Sequence, residues 1–259
     1  MLGLLIGGCT ALGLLVGSFL NVIIYRVPRH ESIVTPRSRC PNCGAPILER
    51  DNIPVISWLL LRAKCRACRA PISVRYPLVE LGTALLFAGA AARMGWQWEL
   101  PAYLVMLAAL LALSYIDVEK LLLPLRIVYP TFLIMVALLA LAAGLDHQWH
   151  RLLVAGITAA SWYALFFVMN VASPRALGFG DVRLALVLGL GLGWLGWRYA
   201  VLGFFLANFI GAGIGITLIA TKRLARNQHI PYGVFLSAGA AIAIYAGPEL
   251  LSPFQSLHF

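Results

Sequence analysis

Eight long apolar runs dominate this chain and decide most of what it can become. They cover about residues 2–24, 78–95, 100–116, 127–144, 152–171, 182–197, 199–220 and 232–248. A helix needs about 20 such residues to cross a bilayer. Barrel strands alternate polar and apolar positions, and these runs do not. In hydrocarbon every backbone N–H and C=O needs a partner, which a helix supplies within one segment. The expected fold is an all-α polytopic membrane protein with about eight transmembrane helices, the sixth the shortest. Only 12% of the residues are charged, about half the share of a soluble domain, which excludes that class.

The formal charge of +10 raises the question of nucleic acid, and its placement answers it. With eight spans, the loops at 25–77, 117–126, 172–183 and 221–231 share one side, and they hold 17 of the 20 Lys and Arg. Arg93, Arg151 and Arg198 fall on the other side. The positive-inside rule makes the basic side cytoplasmic and puts both termini outside. The charge reads as topogenic, with attraction to anionic lipid, and no nucleic-acid partner is expected. The first run is read as a span rather than a cleaved leader, because no basic segment precedes it and no A-x-A-like site follows. Cys9, in that run, reads as a small packing residue.

Residues 26–77 break the pattern. They are polar and basic, too long for a simple turn, and read as a cytoplasmic insertion between the first two spans. The expected division is a first helix over 1–25, a metal-binding domain over 26–77 and a membrane domain over 78–259. Within the insertion, Cys40-Pro41-Asn42-Cys43 and Cys65-Arg66-Ala67-Cys68 form a C-x-x-C … C-x-x-C pair. Each C-x-x-C presents two thiolates to one tetrahedral ion; zinc suits that donor set, and an Fe–S cluster is the weaker alternative. A reducing cytoplasm disfavours disulfides as the alternative. Four cysteine ligands leave no open position for substrate, so the ion is expected to staple a loop with little core of its own. The glycines of the last spans read as close-packing residues; Gly211-x-x-x-Gly215 fits a dimerisation motif but is assigned to packing within the bundle. No internal repeat is evident.

The chain has ten carboxylates, and a carboxylate beside hydrocarbon is expensive enough to suggest a function. Asp117 ends the third run and Asp181, in Gly178-Phe179-Gly180-Asp181, begins the sixth. The topology puts both at the cytoplasmic interface. Two close carboxylates share one proton, so one can act as base on a water while the other polarises a carbonyl. That is aspartic-protease chemistry. The plainer alternatives are a helix N-cap for Asp181 and a helix-end charge with Lys120 for Asp117. Glu119 is the rival to Asp117, and Glu80 is a further intramembrane acid. His30, His147, His150, His229 and His258 are scattered and assemble no competing nucleophile set.

Five ordered motifs then resemble one family, the bacterial type IV prepilin peptidases. They are Gly17-Ser18-Phe19-Leu20-Asn21 through Pro28, Asp51-Asn52-Ile53-Pro54 through Leu59, and Ile72-Ser73-Val74-Arg75-Tyr76-Pro77 through Glu80. Gly178 through Leu184 and Ile230-Pro231-Tyr232-Gly233 complete the set, so the resemblance runs from about residue 17 to 240. It implies an inner-membrane aspartic endopeptidase that cleaves the leaders of type IV prepilins and pseudopilins after glycine, at the cytoplasmic face. It also implies N-methylation of the new terminus with S-adenosylmethionine. The family's catalytic aspartates fall on Asp117, which leads Asp117 … Leu123-Pro124, and on Asp181. The cysteine-bearing loop fits the methylating branch, whereas members without it are held to be peptidases only. Leu125 and Val234 depart from the family pattern, and neither touches the pair. The alternatives are a peptidase without methyltransferase activity and, in another class, a proton-coupled transporter with a regulatory zinc loop. No methyl-donor fingerprint is visible, so methylation rests on the resemblance.

Overall fold

A computed structural model describes residues 1–174, 177–221 and 230–254. Those residues form nine α-helices and a few short 3-10 turns, with only two isolated β-bridges. Seven helices are long and apolar enough to span a membrane: α1 (Leu2–Arg26), α3 (Arg75–Met94), α4 (Leu100–Lys120), α5 (Leu125–Leu145), α6 (Trp149–Ala172), α8 (Trp197–Ala220) and α9 (Tyr232–Leu251). The shortest expected span is α7 (Phe179–Leu195), with 17 residues. At 1.5 Å per residue it reaches about 25 Å, slightly less than a hydrocarbon core. The remaining helix, α2 (Ile56–Leu60), lies in the insertion. Helices form where the apolar runs lie, because an uninterrupted run offers the backbone no other partner. Of the expected basic loops, Arg175, Lys222, Arg223 and Arg226 lie outside the described residues, as do His229 and His258.

The chain divides into two compact units, Met1–Trp96 and Gln97–Phe259. In the first, α1 and α3 pack antiparallel in a constant register. A methyl placed on Gly13 would lie 2.6 Å from Ala84 Cα, and one on Gly17 would lie 2.6 Å from Glu80 Cα. One turn further along, Asn21 Nδ2 donates to the Tyr76 carbonyl at 3.2 Å. Small residues four apart let the two backbones touch, and contact replaces the hydrophobic drive that lipid removes. The helix over 75–94 therefore groups with the first helix and the insertion between them.

In the second unit the same device joins α6 to α7 and α8 to α9. A methyl on Gly189 would lie 2.7 Å from Ala159 Cα, and one on Gly239 would lie 2.6 Å from the Ala207 nitrogen. Gly211 and Gly215 face Phe235 and Ile230, so these two glycines do pack within the bundle. Helix α4 is buried along most of its length, with Tyr103, Met106, Leu107 and Leu113 inaccessible. Tyr103 donates its hydroxyl to the Gly191 carbonyl of α7 at 2.7 Å. The central position of α4 fixes the carboxylate at its C-terminal end, and that end carries the site.

Candidate functional site

Three helix ends converge on the two aspartates. Asp117 sits in the last turn of α4, where Leu121 adopts a left-handed conformation (φ 51) and its N–H closes on the Asp117 carbonyl at 2.8 Å. The chain then turns through Leu123 to Pro124, which caps α5. Leu123 is buried, and its side chain packs against Gly180 of α7 and Gly233 of α9. A methyl on Gly180 would lie 3.0 Å from Leu123 Cβ, and one on Gly233 would lie 2.9 Å from Asp117 Oδ2. Glycine at these two positions is what lets the N-termini of α7 and α9 come this close to the end of α4.

Both carboxylates are buried, Asp117 at 5% and Asp181 at 8% relative exposure, and they lie within electrostatic reach of each other. Asp181 is the third residue of α7. Its Oδ2 accepts the N–H of Gly178, the residue capping that helix, at 3.2 Å. The capping alternative is thus real but partial, since a cap alone needs no burial and no second acid. Asp117 faces the first backbone N–H groups of α9, at Gly233 and Val234, so Val234, expected to stand clear of the pair, reaches it through its backbone; Asp117 Oδ2 is buried without a hydrogen-bond partner among the described residues. Lys120 and Glu119 are exposed where Asp117 is buried, which separates Asp117 from both. The positive ends of two helix dipoles offset part of the cost of burying negative charge here. An unpartnered buried carboxylate oxygen still costs about 1–3 kcal/mol or more. The arrangement suits a pair that shares a proton and binds something.

Beside the pair, Tyr232 comes within electrostatic reach of Asp181 and donates its hydroxyl to Asn208 Oδ1 at 3.2 Å. In the sequence Ile230 through Gly233 stand out as a motif without a role, and Asn208 does not stand out at all. The signal for Gly233 was present in that motif; Asn208 had none.

The four cysteines also come together. Their sulfurs all lie within 4.8 Å of one another, with Cys40 Sγ and Cys68 Sγ 3.9 Å apart. The surrounding backbone repeats itself with an offset of 25 residues. Cys40 N–H donates to the Ala45 carbonyl, and Cys65 N–H to that of Ala70. Ile47 N–H donates to Ser38, and Ile72 N–H to Ala63. The bridge between Arg39 and Pro46 recurs between Lys64 and Pro71. The sequences match accordingly: Arg39-Cys-Pro-Asn-Cys-Gly-Ala-Pro-Ile47 against Lys64-Cys-Arg-Ala-Cys-Arg-Ala-Pro-Ile72. The expectation of no internal repeat fails over these nine residues, where the repeat is a short loop unit and not a helix.

Each knuckle directs N–H groups at sulfur. Ala70 N–H, then the Asn42 side chain, holds the Cys68 thiol down at about 6. The N–H groups of Cys43 and Asn42 lower that of Cys40. At Cys43 the Ala45 N–H lowers the pKa too, but the Cys68 and Cys40 sulfurs outweigh it and push it up to about 11. Four thiolates cannot share this space without a cation, so the donor set fits one metal ion. Asp51 grips Arg66 through two hydrogen bonds, at 2.6 and 2.8 Å, tying the second knuckle to the turn at Glu49–Asp51.

Fold and site together define a multi-pass membrane protein with a buried carboxylate pair and a four-cysteine metal cluster. Comparison with known proteins says which. Residues 11–94 match the Bacterial Peptidase A24 N-terminal domain, and residues 104–216 match the Type IV leader peptidase family. A protein of Myxococcus xanthus is 47% identical over 215 residues, covering 82% of this chain and 63% of its own length. Proteins of Stutzerimonas stutzeri and Pseudomonas aeruginosa are each 34% identical over 268 residues, covering 94% and 93% of this chain and 91% of their own lengths. All three are named prepilin leader peptidase/N-methyltransferase. No solved structure matches the chain. The chain belongs to the type IV leader peptidase family.

Proposed function

We propose that this chain is a membrane aspartic endopeptidase that removes the leader of type IV prepilins and pseudopilins after glycine and then N-methylates the new terminus. The observation that carries the peptidase is the buried pair Asp117 and Asp181 at the converging ends of α4, α7 and α9. One carboxylate is ionised and takes a proton from water as the water oxygen attacks the scissile carbonyl carbon. The other gives its proton to the carbonyl oxygen. On collapse the first proton passes to the leaving nitrogen, the C–N bond breaks, and the hydroxyl proton returns to the second carboxylate. The pair titrates as a unit, so neither proton belongs to one residue.

Methylation rests on the relatives' names. S-adenosylmethionine would supply the methyl group. Among the described residues no cradle identifies itself for it, and no step is derived through it. For the cysteine cluster we propose zinc. A tetrahedral tetrathiolate with Zn–S of about 2.3 Å puts sulfurs about 3.8 Å apart, which the 3.9 Å separation of Cys40 and Cys68 approaches. The positive-inside distribution supports a bacterial inner-membrane protein with the cysteine loop and the carboxylates cytoplasmic and both termini periplasmic. We also propose the functional division as a first helix, a zinc loop over 26–77 and a peptidase domain beyond it. No observation favours the transporter alternative.

The test is incubation of the detergent-purified chain with a prepilin and S-adenosylmethionine, followed by mass measurement of the product terminus. Cleavage with a methyl group supports both activities. Cleavage without it leaves a peptidase alone. An intact leader with folded wild-type enzyme overturns the proposal.

A further inference from the structure

The insertion between α1 and α3 carries an apolar face left exposed among the described residues. Ile53, Ile56, Leu59 and Leu60 are 45%, 53%, 61% and 77% exposed. Ile56, Leu59 and Leu60 lie on one side of α2, and Ile53 stands exposed in the turn just before it, so the four form a stripe of apolar surface close together in the chain. The opposite side of α2 is fastened down. Ser57 Oγ donates to the Arg50 carbonyl and accepts the Ile53 N–H, and Trp58 Nε1 donates to the Ile72 carbonyl. The stripe is therefore held outward rather than left loose.

Its height relative to the spans is also fixed. Val55 N–H, one residue before α2, donates to Glu80 Oε2 at 2.7 Å. Glu80 is buried on α3, five residues past the start of that helix at Arg75. That places it about 7 Å inside the end of a helix whose length, about 30 Å, matches a hydrocarbon core. Val55 is held there at φ 61, a conformation that β-branched residues avoid. Such strain persists only where the surroundings over-determine it. The start of α2 is thus pinned below the level at which α3 begins.

The insertion that carries these residues is basic. Arg50, Arg62, Lys64 and Arg69 are exposed, and residues 27–74 hold eight Lys and Arg against three carboxylates. A zinc tetrathiolate would subtract two charges and leave the loop cationic. An apolar face at interface depth in a cationic loop complements an anionic bilayer surface.

We propose that α2 and the turn before it are a membrane-docking element, with Ile53, Ile56, Leu59 and Leu60 seated at the headgroup–acyl boundary of an anionic leaflet and Glu80 setting their depth. The zinc loop then lies on the bilayer surface instead of standing off it. The occupant is lipid, and the docking requires neither cleavage nor methylation.

The test places an environment-sensitive fluorescent amino acid at position 60 of the full chain, in nanodiscs of phosphatidylcholine and phosphatidylglycerol with or without nitroxide on the lipid tails. The expected result is blue-shifted emission that nitroxide lipids quench, with quenching reduced at least about twofold when phosphatidylglycerol is omitted. Glu80→Ala should reduce the quenching as well, by freeing Val55. Water-like emission overturns the proposal. So does blue-shifted emission that nitroxide lipids leave untouched, because a protein partner or a second copy would then cover the stripe. Quenching indifferent to headgroup charge overturns the electrostatic part.

Discussion

The cysteine cluster and the carboxylate pair both concentrate negative charge, and they handle it differently. Around the cysteines the chain supplies its own compensation locally: each knuckle turns its N–H groups onto sulfurs a few residues away. The cluster is partly exposed, and a cation would complete it. Asp181 is capped from within its own helix by Gly178, but Asp117 depends on the N-terminus of α9, far along the chain, and its compensation is incomplete, since its Oδ2 is buried without a partner among the described residues. The difference teaches what each site is for. A site that one ion would satisfy in full has nothing left over for substrate, which suits the proposed staple. A site left unsatisfied in a dry setting keeps its binding capacity for something that arrives.

The largest effect should come from breaking the pair itself. Asp117→Asn and Asp181→Asn should each lower leader cleavage by at least about 10²–10⁴-fold, the range expected for losing a general acid or base. The mass of the prepilin product reads this directly, with thermal unfolding as the check on folding. Full cleavage by either variant removes that residue from the site. Gly233→Val should follow closely, because its first side-chain carbon would lie 2.9 Å from Asp117 Oδ2. Metal content in that variant should stay at the wild-type level. Loss of both activity and metal would show that the two regions are not separable.

The reciprocal change is Cys40→Ser. It should abolish bound metal and make residues 27–74 sensitive to protease, while carboxylate-dependent cleavage persists. Metal analysis and a digestion time course decide it, and loss of cleavage would give the cluster more than a stapling role. A milder perturbation is pH. Cys68, with a pKa of about 6, is ionised at pH 7 and must first lose a proton to bind metal once the pH falls below that value. Zinc affinity should therefore fall more steeply with decreasing pH below about 6 than above it, measured by competition with a chelator. A slope unchanged across that window would contradict the arrangement of N–H groups on Cys68. The smallest effect concerns the repeat. Arg69 occupies, at φ 60, the position that Gly44 occupies at φ 71. Arg69→Gly should stabilise the loop by about 1 kcal/mol, the usual cost of left-handed backbone for a residue with Cβ. Chelator-induced unfolding that occurs no later than in wild type would rule this out.

The spans were legible because hydrophobic length is a property of the run itself. All eight expected runs appear as helices, from α1 to α9 with α2 aside. The cysteine cluster was legible because C-x-x-C spacing already encodes the knuckle. The repeat around it is equally present in the sequence, where Cys40–Ile47 and Cys65–Ile72 share C-x-x-C-x-A-P-I. The pairing of α3 with α1 was not legible, since it depends on the 13–84 and 17–80 contacts rather than on where the insertion ends. Nor were Leu123, Asn208 and the depth of Val55, each of which acquires its role only from a neighbour distant in the chain.

Sequence alone determined that this protein lives in a membrane as helices, that its insertion can hold a metal, and that two aspartates fall at the ends of apolar helices. These follow from hydrophobicity, spacing and charge placement, which act locally along the chain. Tertiary structure alone decided that Asp117 is buried while Glu119 is exposed. It brought the N-termini of α7 and α9 onto the carboxylates, and it pinned α2 to Glu80. The reason is that desolvation and close approach depend on which helices pack together, and packing is set by small residues whose partners the linear sequence does not name.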